Sequence, residues 1–113
     1  MDLSIIQGLR DLREPGQLDP LAQLVELFLQ DSMPRLEQLE KAIRSNDTSQ
    51  IIAIAHTLKG SASNLGARKL ASFYATLEKQ AKASDLTAAI TLLEALKGEL
   101  RNVQTVLYAE VER

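Results

Sequence analysis

The sequence predicts an all-α fold: an antiparallel up-down-up-down four-helix bundle with a short N-terminal accessory helix. Three observations carry that expectation. Leu, Ala, Ile, Glu, Gln and Lys dominate the 113 residues, aromatics make up 4% and Trp is absent, a usage that favours helices over strands. Apolar residues recur at three- and four-residue intervals through four long stretches. The stretches are joined by short segments of capping and turn residues, as antiparallel neighbours require.

The elements follow in order. A short helix over about Leu3–Leu12 places Leu3, Ile6 and Leu9 or Arg10 at helical spacing, stops before Glu14-Pro15-Gly16, and covers one end of the bundle. Asp19-Pro20 reads as N-cap and first helical residue of a long helix to about Arg44, with its seam at Leu21, Leu24, Val25, Phe28, Leu36, Leu39 and Ile43. Pro34 interrupts that helix's hydrogen-bond ladder, so a kink is expected there, with Ser32 placed to satisfy part of the freed backbone. Ser45-Asn46-Asp47-Thr48 forms the next turn and cap.

The third helix, about Ser49–Leu65, has its seam at Ile51, Ala55, Leu58, Ala62 and Leu65, a 4-3-4-3 spacing suited to a bundle core. Gly66 ends or bends it. A fourth, about Arg68–Ala83, buries Leu70, Phe73, Tyr74, Leu77 and Ala81. Asp85 is placed to cap a fifth running to about Glu110, with its seam at Leu86, Ala89, Ile90, Leu93, Leu96, Leu100, Val103 and Leu107. With no repeat, low-complexity tract or internal linker, residues 1–113 read as a single domain.

Composition excludes several function classes. Without cysteine there is no disulfide framework, thiolate catalysis or Cys-based zinc site, which fits a reducing compartment. The opening MDLSIIQGLRDLREPG carries acidic residues and no uninterrupted apolar run, so it reads as neither signal peptide nor membrane anchor, and a cytoplasmic setting is expected. Thirteen basic and fifteen acidic residues give a net charge of −2, and no long run of one sign would attract nucleic acid or an acidic membrane. No surface seam is apolar enough to demand a dimer, so a monomer is expected.

The one histidine lies in AHTLKGSASNLGA, positions 55–67. At about 100° per residue, His56 points roughly 140° from the centre of its helix's apolar seam, with Ile52, Lys59, Gly60 and Ser63 as surface neighbours. An incidental solvated histidine is one reading; an outward imidazole beside a cation that attracts an anion is the other. Gly60 is costly in a helix interior and clears space one turn after the histidine, although close helix packing is its alternative explanation. Ser61, Ser63 and Asn64 fit solvated helix surface, Ser63 being nearest the histidine. Glu78, on a shoulder of the fourth helix, is placed either to accept from one imidazole N–H or to pair with Lys82 at i, i+4.

One histidine and no cysteine do not make a His- or Cys-rich metal site, and Ala53 stands where a di-iron bundle needs Glu. The Gly60–Gly66 stretch has the wrong spacing for a phosphate loop and is followed by Ala67-Arg68 in place of Lys-Ser/Thr. A hydrolytic triad needs a cleft, whereas this histidine sits on a convex face. An exposed imidazole beside a cation, with no pocket of its own, suits the carriage of a phosphoryl group that another protein supplies and removes.

Ala55-His56-Thr57-Leu58-Lys59-Gly60, then Leu65-Gly66, Leu70 and Leu77-Glu78, closely resemble the histidine-containing phosphotransfer (HPt) domain family, and LREPGQLDPLAQLVELFLQDSMPRLEQLEKAI resembles its preceding segment. The resemblance implies a four-helix bundle with an accessory helix. It also implies a phosphorelay carrier, not an autonomous kinase, whose histidine passes phosphate between receiver-domain aspartates or from a hybrid sensor histidine kinase to a receiver. By resemblance His56 is the phosphoacceptor through its outward nitrogen, expected to be Nε2. Lys59 neutralises phosphoryl oxygens and Gly60 leaves room for the receiver's active-site loops. Glu78 matches a position hydrogen-bonded to the histidine, and Lys82 one that is basic in some members. Ser63 and Asn64 fall in a variable part of the motif, and Ile52 is the candidate apolar docking residue. No cofactor is intrinsic; Mg²⁺ is expected in the partner receiver. Two other readings stay open: a docking module that is never phosphorylated, and a purely structural bundle.

Overall fold

The computed structural model describes residues Met1–Arg113 and is all-helical: α1 (Ser4–Arg10), α2 (Pro20–Arg44), α3 (Thr48–Asn64), α4 (Arg68–Lys82) and α5 (Ala89–Glu112). α2 packs on α3, α3 on α4, α4 on α5, and α5 back on α2, so the four long helices close a ring around one core. That core is a continuous apolar cluster to which all five helices contribute, with Leu21, Leu39, Ile51, Leu58, Leu70, Leu77, Leu96 and Leu107 essentially inaccessible. The helical bundle with its short N-terminal helix is the architecture the sequence predicts.

The unequal helix lengths explain the accessory helix. At about 1.5 Å per residue, α2 and α5 run roughly 36–38 Å, whereas α3 and α4 run roughly 23–26 Å. The α3–α4 turn therefore stops short of the ends of α2 and α5, and α1 lies in the step. Its N-terminal side is tied to that turn: the Asp2 N–H donates to the Gly66 carbonyl at 2.9 Å and Arg68 pairs with the Asp2 carboxylate at 2.9 Å. Its C-terminal side is tied to the end of α5, where Arg10 pairs with the buried Glu110 carboxylate and Arg13 donates to the carbonyls of Glu110, Val111 and Arg113. Two guanidinium groups thus serve the unsatisfied carbonyls and the negative end of the α5 dipole. Ile6 is buried beneath, and Leu3 and Leu9 pack beside it.

Local chemistry sets most boundaries. The Asp19 carboxylate accepts from the Leu21 N–H at 3.0 Å ahead of Pro20, and Asp47 accepts from the Gln50 N–H at 3.2 Å, so both caps fall where expected. α2 persists through Pro34 as one helix. Proline's missing N–H removes the i→i−4 donor to the Gln30 carbonyl, and both residues lie on the exposed side, so that carbonyl is not buried without a partner. Ser32 does not take the backbone role expected of it: it falls on the buried stripe, and its hydroxyl has no partner.

The start of the last helix also differs. The Asp85 carboxylate turns onto the Thr87 N–H and hydroxyl, at 3.2 and 2.7 Å, a local turn that competes with N-capping, and α5 begins at Ala89 without a side-chain cap. The buried stripe is then Ala89, Leu93, Leu96, Leu100, Val103 and Leu107; Leu86 and Phe73 are only partly buried, and Ile90, a full step around the helix from Ala89, is 47% exposed. No helix is long and apolar enough to cross a membrane.

Candidate functional site

His56 sits in the middle of α3, and what it faces is decided by the α3–α4 hairpin. Gly66 holds φ +79 at the turn, a left-handed conformation that glycine adopts without strain and that reverses the chain within Leu65–Ala67. So tight a turn aligns the two helices antiparallel and brings Glu78 of α4 opposite His56 of α3. Nδ1 of His56 lies 3.1 Å from Oε2 and 3.3 Å from Oε1 of Glu78.

Both readings of Glu78 prove to be true together, and a third partner joins them. The Lys59 ammonium donates to Oε1 at 3.0 Å, and Lys82 stands 3.7 Å from Oε2 across one turn of α4. The Glu78 side chain is only 6% exposed, so its charge is sheltered and fully engaged, whereas the imidazole is 69% exposed. The Lys59 hydrogen bond holds the Glu78 carboxyl below the ordinary range. Burial opposes that shift, while the His56 contact and the two lysine charges reinforce it. An ionised carboxylate can only accept, which places the ring proton on Nδ1 and leaves the lone pair on Nε2, a nitrogen with no protein partner.

Gly60 lies one turn after His56. A Cβ built there meets nothing within 4 Å, so the glycine opens the surface beside the imidazole and is not required by helix packing. Ser63 and Asn64 are exposed further along α3. Ile52 is half-buried and packs on the flank of the core, where it presents only part of its side chain. Asn64 borders a shallow groove between α2 and α3 together with Leu24, Leu27, Phe28, Asp31, Ser61 and Leu65. Leu27, 64% exposed, is the apolar residue of this face that the periodicity does not flag. The run Leu27-Phe28-Leu29 points apolar side chains in three successive directions, so that one of them must leave the core. The larger surface grooves lie elsewhere, between α2 and α5, and the histidine stands on a convex surface.

A helical bundle that presents one imidazole, oriented through Nδ1 and open at Nε2 beside two lysines, defines a class of protein that displays a nucleophile to a partner without enclosing a substrate. The comparisons with known proteins agree. The family model described as "Hpt domain" matches residues 23–106, and the chain belongs to this family. It is 24% identical over 102 residues to histidine-containing phosphotransfer protein 2 of Arabidopsis thaliana, covering 88% of this chain and 65% of that protein. It is 32% identical over 92 residues to the sensor protein TorS of Escherichia coli K12, covering 74% of this chain and 10% of TorS. The chain thus spans less than two thirds of the length of either relative. The crystal structure of histidine-containing phosphotransfer protein B from Pseudomonas aeruginosa PAO1 superposes with a TM-score of 0.87 at 29% identity, covering all of this chain and 95% of that one.

Proposed function

We propose that residues 1–113 act as a single Hpt unit in which His56 accepts a phosphoryl group on Nε2 from a receiver-domain aspartate or a hybrid sensor histidine kinase, then passes it to the aspartate of a response-regulator receiver. The observation that carries this reading is the orientation of the imidazole: a buried, charged acceptor on Nδ1 leaves a solvent-facing lone pair on Nε2. Phosphoryl transfer needs little from the carrier beyond a positioned nucleophile and compensating charge. Lys59 and Lys82, which gather at Glu78 beside the imidazole, are the cations assigned to the phosphoryl oxygens, and Mg²⁺ together with the remaining polar machinery belongs to the receiver.

Gly60 gives the receiver's loops access to the imidazole, which is supported by the open space where its Cβ would stand. Ile52, Ser63, Asn64 and Lys82 form the docking rim, joined on the α2 side by Leu24 and Leu27. The partners are proteins, as a net charge of −2 without long single-sign runs supports over nucleic acid or membrane; the absence of cysteine supports a cytoplasmic setting, and the lack of a strongly apolar surface seam supports a monomer. The chain has no kinase activity of its own in this account.

The test is loading. Mixed with a phosphorylated receiver, the wild type is expected to gain one acid-labile, base-stable phosphoryl group by intact mass, and His56→Gln none. Binding without modification of the wild type across several cognate receivers and kinases would replace the carrier with a docking module.

A further inference from the structure

Glu78 does more than orientation requires. A neutral amide at this position would accept the same Nδ1–H bond, yet the structure places a sheltered anion there and surrounds it with cations. α3 supplies His56 and Lys59, α4 supplies Lys82, and neither α2 nor α5 adds an ion-pair partner. Resting on the phosphocarrier reading, we propose that Glu78 keeps the Nδ1 proton on the ring throughout the phosphoryl cycle, so that the phosphohistidine forms and breaks as a phosphoimidazolium.

The steps balance with no other reactant than the two receiver aspartates. The neutral imidazole attacks phosphorus through Nε2; the Nε2–P bond forms, the O–P bond of the aspartyl phosphate breaks, and its electron pair leaves on a carboxylate. The ring is now cationic, its Nδ1 proton has not moved, and Glu78 carries the countercharge 3.1 Å away. In the onward step a second aspartate attacks phosphorus, the Nε2–P bond breaks, and the electron pair returns to Nε2 of a neutral imidazole. If the Nδ1 proton were lost in between, the leaving group would be an imidazolate anion, a far poorer one. Lys59 and Lys82 complete the arrangement by keeping Glu78 ionised, so that the proton stays on the ring and does not pass to the carboxylate.

The experiment loads His56 chemically with phosphoramidate and follows loss of the P–N bond by ³¹P NMR from mildly acidic to alkaline pH. The wild type is expected to keep its fast-cleaving, protonated ring to a pH about one to two units above that of Glu78→Gln. Glu78→Asp, which retains the charge, recovers part of the difference. As a control independent of whether the variants fold, ¹⁵N NMR of the native wild-type phosphoprotein is expected to show Nδ1 titrating above its value in the same protein unfolded in urea. Coincident profiles, or equal native and unfolded titrations, overturn the inference and leave Glu78 as an orienting residue. Failure of a phosphorylated receiver to load His56 of the wild type, with the chemically loaded protein still showing the Glu78 effect, overturns the phosphocarrier reading instead.

Discussion

The carboxylate of Glu78 stands 3.1 Å from Nδ1 of His56, although 22 residues separate them in sequence. The contact depends on a reversal of the chain at Gly66, on two helices packed along their length, and on the burial of one carboxylate between two lysines. Each of those links exposes the account to measurement.

Gly60 separates stability from function. Because a Cβ there meets nothing, Gly60→Ala is expected to stabilise the isolated domain by about 0.5–1 kcal/mol through helix propensity alone. Gly60→Trp should leave the fold intact and slow phosphoryl transfer from a receiver by about tenfold or more. Urea unfolding and time-resolved intact mass report the two effects. Destabilisation by alanine would mean that the glycine serves packing after all.

Gly66 is the opposite case. Its φ of +79 is strained for any other residue, and a Cβ would run into the backbone of Asp2, which is hydrogen-bonded to Gly66. Gly66→Ala is expected to cost about 1–3 kcal/mol in urea unfolding. Removing Met1 and Asp2 should relieve the collision but not the strain, so the penalty shrinks without vanishing in the shortened chain.

Much of this was legible in the sequence, and the exceptions have physical causes. Most of the seams of α2 and α3 and the caps at Asp19 and Asp47 follow from periodicity and short-range hydrogen bonding, but Leu24 is only half-buried, and Leu29, Ala42 and Ile54 join the core from outside the expected stripes. The outward direction of His56 follows from the same helical geometry. Asp85 was legible as a capping residue but not as one committed to Thr87, because the two outcomes use the same side chain over nearly the same span. Ile90 fits an extended stripe and lies outside the narrower one that α2 and α4 can cover. At the site, spacing placed Lys59 beside His56 on α3 and offered Glu78 an i, i+4 partner in Lys82 on α4. Only tertiary packing brings His56 and Lys59 onto Glu78 as well, since that depends on how deeply the α4 shoulder sinks against α3.

Tyr74 offers a test of the core. It is 1% exposed, its hydroxyl has no hydrogen-bond partner, and burial pushes its ionisation far above the ordinary phenol value. Since a lone buried hydroxyl carries a desolvation cost, Tyr74→Phe is expected to leave stability unchanged or raise it by up to about 1 kcal/mol in urea unfolding. A loss larger than that would show that the hydroxyl is satisfied.

Acid should weaken the bundle through named pairs. Glu78 and Glu40 both titrate below the ordinary value of 4.5, Glu78 chiefly because Lys59 donates to it and Glu40 chiefly because Lys97 does, at 3.0 Å. A carboxylate with a depressed folded pKa contributes stability above its unfolded pKa and loses it as pH falls through the folded one. The thermal midpoint is therefore expected to hold from about pH 6 to 7 and fall below about pH 4.5. Glu40→Gln should flatten that fall, and an unchanged slope would remove Glu40 from the account.

In the proposed mechanism His56 shuttles phosphate between aspartates, and a three-component relay isolates that step. Labelled phosphate is placed on one receiver, and its arrival on a second receiver is timed with wild type, with His56→Gln and with no added chain. Label is expected on the second receiver only with the wild type, preceded by a transient on the chain itself. Equal labelling with His56→Gln, or stable complexes with no transfer through the wild type, would rule out a phosphocarrier role for His56.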